Sequence, residues 1–195
     1  MVTKELLINA IIYSVIILLM CPLLGALLNK ILVEILSRVF GILDRSGALF
    51  LAFANVITFV GVIHHELSHA IIAFALGAKI RKINLYKISA GSLGSVSYSP
   101  RGPLLLRSLQ MSLSAAAPVF MGVITESIIY FYFHNYSGPF WVLLLIGYLA
   151  LSIAVHMDMS MQDIIVYLKG VPCCFLLLVL ILLLTSKYLQ LPLLV

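Results

Sequence analysis

The chain has 195 residues, 63% of them apolar and 10% charged, with a mean hydropathy of +1.19, whereas soluble domains run about 45–50% apolar and about 25% charged. This excludes a disordered chain, a coiled coil or an ordinary cytosolic enzyme, and one integral membrane domain over 1–195 is expected. The net charge of +5 comes from 12 Lys and Arg against 7 Asp and Glu, but the cations fall in gaps between apolar runs, where cytoplasmic loops lie, so the expected surface partner is the lipid bilayer and not nucleic acid.

In chain order, residues 6–28 form a first span, longer than the ~7–15 apolar residues of a signal peptide and read as retained. In 30–45 the polar residues Lys30, Glu34, Ser37, Arg38, Gly41 and Arg45 recur every three or four positions, which predicts a separate amphipathic helix in the interface. A second span covers 47–75. The polar insert 78–103 carries Lys79, Arg81, Lys82, Lys87 and Arg101. It alternates over 82–85 and 95–99 around a glycine-containing turn, the pattern of a small membrane-surface β-hairpin within 79–99 whose strand edges offer pairing to an extended peptide. Further spans follow at 104–133, 140–157 and 171–185. The expected fold is therefore an all-α polytopic membrane protein of about five transmembrane helices, with the interfacial helix and the hairpin added. Lys4, Lys79, Arg81, Lys82, Lys87, Arg101, Arg107 and Lys169 then fall on one side, against Lys30, Arg38, Arg45 and Lys187 on the other. This bias places the N-terminus and the 78–103 loop in the cytoplasm of a multi-pass protein of the cell (inner) membrane. Cys21, Cys173 and Cys174 lie inside apolar runs and read as small membrane residues.

The second span contains His64-His65-Glu66-Leu67-Ser68-His69. His65 and His69 differ by about 40° around a helix and share a face, so both imidazoles can meet one zinc ion. Glu66, one residue on, can act as general base on a water. Charged groups in hydrocarbon cost about 2.5 kcal/mol or more each, which makes packing a poor explanation for this cluster. A catalytic zinc needs a third protein ligand. The inward end of the fourth span reaches the same depth and reads His156-Met157-Asp158-Met159-Ser160-Met161-Gln162-Asp163. His156 and Asp163 lie within about 20° of each other on a helix, while Asp158 is about 140° from Asp163. Asp163 is the favoured ligand, because a carboxylate is the commoner companion of such a His pair, with Asp158 and His156 as alternatives. His64 reads as a water-facing or supporting neighbour, His134 as an exposed loop residue, and Glu126 as an intramembrane carboxylate lining a water path or paired structurally.

These residues resemble the site-2 protease family of intramembrane zinc metalloproteases. The resemblance covers about 47–170, the expected catalytic core. It rests on His65, Glu66 and His69, on the small-residue ending Gly77-Ala78, on the hairpin, and on Ser160-Met161-Gln162-Asp163, which looks like the variant aspartate motif of compact, divergent members. The usual Leu-Asp-Gly is missing, and Ala117-Pro118-Val119-Phe120-Met121 has Met where the family has Asn. The resemblance implies Zn2+ held by His65, His69 and Asp163, with Glu66 catalytic, and hydrolysis of membrane-spanning protein or peptide substrates near the cytoplasmic face. The other readings are a membrane metal transporter and a catalytically inactive binding protein of the same family.

Overall fold

A computed structural model of the chain describes residues 4–40, 56–85 and 94–189. Within these, the chain runs α1 (Lys4–Phe40), α2 (Phe59–Ala75), β1 (Lys79–Asn84), β2 (Ser95–Ser99), α3 (Leu104–Asn135), α4 (Phe140–Ala154) and α5 (Met161–Leu189). Of the five helices, α1, α3 and α5 are long and apolar enough to cross a membrane. The expected five spans are thus three helices of crossing length plus two shorter apolar ones. Helices α2 and α4 have 17 and 15 residues, short of the ~20 a span needs. The expected start of the second span, 47–55, lies outside the described residues.

Two expected boundaries move. The amphipathic segment is not a separate helix: up to Phe40 it continues α1 without a break, because neither Gly nor Pro interrupts 29–40, so no residue there breaks the helical hydrogen bonding. Residues 41–45 lie outside the described residues. At 37 residues α1 is about 55 Å long, well beyond the ~30 Å of hydrocarbon. The last helix begins at Met161 rather than 171, because Ser160 caps it. Gln162, Asp163 and Lys169 hide this first part from a hydropathy reading. The fourth helix ends at Ala154, before the expected 157, and His134 sits in the last turn of α3 rather than in a loop.

The end of α2 is set by Gly77 at φ +81°. Gly77 N–H donates to Phe74 O and Ala78 N–H to Ala73 O, both at 2.9 Å. This glycine-dependent closure satisfies the final carbonyls and turns the chain into β1. Strands β1 and β2 pair antiparallel, Lys79 opposite Ser99 and Asn84 opposite Ser95, with a register shift between Ile80 and Lys82. That bulge is why alternation is visible in the sequence only from Lys82 onward. The glycine turn expected at 90–94 falls mostly outside the described residues.

Small apolar and polar side chains share the interior, and large apolar ones cover the outside. Gln110, Ser14, Ser68, Ser112, Ser114 and Ser152 are among the largest fully buried side chains, while leucines and isoleucines of α1, α3 and α5 are exposed. Small residues let helices approach and hydroxyls join them. The Gly61 N–H donates to Ser152 Oγ at 2.8 Å, and that hydroxyl donates to Thr58 O at 3.0 Å. A Cβ on Gly61 would collide with the Ser152 carbonyl, and one on Gly170 with the Ser108 carbonyl and Ser112 Oγ. Ser112 Oγ donates to Tyr167 O at 3.1 Å, and Tyr167 OH to Leu18 O at 2.6 Å. An apolar cluster of Ala115, Ala116, Val119, Met159 and Tyr167 packs beside these bonds. Gln110 donates to Leu76 O at 2.8 Å and accepts from Arg101 N–H at 2.7 Å, tying the ends of α2 and of the hairpin to the start of α3.

Candidate metal centre

His65 and His69 project from one face of α2, and Asp163 meets them from the first turn of α5. Their ligand atoms all lie within 4.8 Å of one another. The two Nε2 atoms are 3.1 Å apart. Asp163 Oδ2 is 3.6 Å from His65 Nε2, and Oδ1 is 3.3 Å from His69 Nε2.

The far side of each imidazole fixes its tautomer. His65 Nδ1 is 2.9 Å from the His156 carbonyl oxygen, and His69 Nδ1 is 2.7 Å from that of Ser114. A carbonyl can only accept, so each Nδ1 carries a hydrogen and a neutral ring presents a lone pair at Nε2. Ser114 Oγ donates back to His69 O at 3.0 Å, which locks α2 to α3 at this level.

Asp163 is oriented by its own helix start. Ser160 N–H and Oγ–H donate to Asp163 Oδ2 at 2.9 and 2.6 Å, and Asp163 N–H donates to Ser160 Oγ at 3.2 Å. This reciprocal capping box satisfies the first turn of α5. The Ser-x-x-Asp spacing therefore serves the helix as well as the site.

Two imidazole lone pairs and a carboxylate facing one another repel unless a cation or a proton lies among them. A tetrahedral zinc with ligands at ~2.0–2.1 Å sets its donors roughly 3.3 Å apart; the two Nε2 atoms stand at 3.1 Å, and one ligand atom from each of the three residues lies within 4.8 Å of the others. The donor types and the hydrogen-bonded far nitrogens suit a group that could hold a metal ion.

Glu66 is buried beside this trio and lines with it a cleft of about 560 Å³, closed on another side by Gly94, Val96 and Tyr98 of the hairpin region. A Cβ at Gly94 would come within 2.5 Å of Glu66 Cγ, so only glycine lets the strand lie this close to the carboxylate. The other candidates are placed differently. The His156 ring lies 2.9 Å from Thr58 Oγ1 through its Nε2, so this residue serves the centre through its carbonyl. Asp158 lines the cleft but stands outside the trio. Burial pushes its carboxyl above the ordinary range, against the opposing pull of His65 and a hydrogen bond from Asn29. His64 Nε2 is 3.0 Å from Thr125 Oγ1. Glu126, half-buried with one unpartnered oxygen among the described residues, borders a separate hollow with Val123, Ser127, Tyr130 and Met157.

Sequence reasoning missed Ser114, Gln110, Gly94 and Tyr98. The readable signal was the run of Ser108, Gln110, Ser112 and Ser114 in an otherwise apolar helix, whose i, i+4 spacing puts Gln110 and Ser114 on one face. Compared with family models, with curated proteins and with solved structures, the chain matches none.

Proposed function

We propose that the protein is an intramembrane zinc metalloprotease of the site-2 protease type, cleaving membrane-spanning substrates near the cytoplasmic face. The observation that carries this reading is the convergence of His65, His69 and Asp163 within 4.8 Å, with Glu66 buried in the same cleft. Zinc held there supplies Lewis acidity, towards a water and towards a carbonyl oxygen. Glu66 takes a proton from the attacking water and passes it to the departing amide nitrogen. The water oxygen ends on the acyl carbon as the C–N bond breaks. The polar cleft inside an apolar bundle gives water a place to act, and the hairpin beside it offers strand edges to an unwound substrate. The N-terminus and the hairpin are assigned to the cytoplasm on charge bias.

The test is zinc content of the purified wild type and Asp163→Ala, alongside cleavage of a model single-span peptide. Wild type should carry one zinc and cleave. Asp163→Ala should lose both zinc and cleavage while keeping its helical signal. An Asp163→Ala protein that holds zinc as tightly as wild type would remove the third ligand and with it the proposal.

A further inference from the structure

Resting on the metal-binding part of that reading, we propose that Asn29 of α1 is a positioning residue for the metal centre, acting through the 155–158 link to aim the His65 imidazole. Helix α1 carries none of the three ligands, yet it comes within one peptide group of them. Asn29 Nδ2–H donates to Val155 O at 3.1 Å, and the same amide also bonds the Asp158 side chain. The next carbonyl along the chain, that of His156, accepts from His65 Nδ1–H at 2.9 Å. Peptide groups are planar and rigid, so only φ and ψ of His156 separate the oxygen that Asn29 holds from the oxygen that His65 uses. The His156 ring is tied as well, 2.9 Å from Thr58 Oγ1. The link needs such ties because it is not helical between α4 and α5, so no helical hydrogen-bond ladder sets the direction of these carbonyls. One turn before Asn29, Gly25 is buried, and a Cβ there would stand 3.1 Å from Met157 O and 2.9 Å from Val119 Cγ2. Helix α1 therefore packs its backbone against the link at this level and delivers the Asn29 amide to it. The partner on the far side of a ligating imidazole sets its orientation and basicity. Here that partner is a main-chain oxygen, which substitution at His156 leaves in place but which moves when its neighbour is released.

Asn29→Leu keeps the size of the side chain and removes its donors. It is tested in the full-length, detergent-solubilised protein, at a temperature where wild type and variant are both fully folded. Zn2+ affinity, read by competition with a chelator, should fall about tenfold. The visible absorption bands of the Co2+-loaded protein should shift, because one imidazole meets the ion at a different angle. Asn29→Ala adds no bulk and serves in the same assays if leucine is not accommodated. A merely structural role would lower the thermal midpoint alone. The folded molecules would then keep wild-type affinity and wild-type bands, and that result overturns the proposal. The wild type separates the two layers. If it takes up neither Zn2+ nor Co2+, the metal-centre reading fails and the role of Asn29 fails with it, whereas metal binding in the wild type that the Asn29 variants leave unchanged overturns Asn29 alone.

Discussion

The two halves of α3 are built on opposite plans. Residues 104–119 bury Ser108, Gln110, Ser112 and Ser114 together with Ala115, Ala116 and Ala117, while residues 124–133 expose Ile124, Ile128, Tyr130, Phe131, Tyr132 and Phe133. Helix propensity does not separate them; their surroundings do. The first half is enclosed by α2 and α5, and its hydroxyls and amide bond main-chain atoms of those neighbours. The second half shows aromatic and branched side chains to the outside, the surface suited to hydrocarbon and its interface. Helix α3 thus gathers its specific, directional contacts in the half beside the candidate metal centre and leaves non-directional apolar contact for the other.

Substitutions can break or sharpen that contrast. The largest effect belongs to Glu66→Gln: cleavage should drop about 10²–10⁴-fold with zinc content unchanged, as read by metal analysis beside peptide cleavage. Ser160→Ala removes both the cap of α5 and the group that aims Asp163. Zinc affinity should weaken about 10–100-fold, measured by competition with a chelator. Gly170→Ala puts a methyl against the Ser108 carbonyl and Ser112 Oγ. It should cost about 1–3 kcal/mol, visible as a lower thermal midpoint in detergent. Tyr132→Leu, in the outer half and exposed, should stay within about 0.5 kcal/mol of wild type. A shift there as large as that of Gly170→Ala would erase the distinction between the halves.

The chemistry-bearing side chains were legible because their spacing is local. A four-residue step puts two imidazoles on one face of any helix, and carboxylate chemistry favoured Asp163; the azimuth comparison with His156 and Asp158 does not hold, because the chain is not helical over 155–160 and Asp163 belongs to the next helix. What the sequence hid is main-chain or non-local. The carbonyls of His156 and Ser114 that set the imidazole tautomers carry no side-chain signature. The early start of α5 was masked because Gln162, Asp163 and Lys169 depress hydropathy just where the capping box begins the helix. The continuity of α1 through Lys30, Glu34 and Arg38 was masked in the same way, since a polar stripe on a protruding helix looks like a new interfacial one. Arg38 and Glu34 do pair, at 2.8 Å, but in the open, where such a bridge contributes little.

Gln110 ties two chain segments to one side chain: its amide grips the exit of α2 through Leu76 and the exit of the hairpin through Arg101. The hairpin is therefore pinned at its Ser99 end and not by this residue at its Asn84–Ser95 end. At the other end of β2, Gly94 lies so close to Glu66 that an added Cβ would meet its Cγ, so bulk introduced there would press on the buried carboxylate while leaving the Gln110 clamp in place.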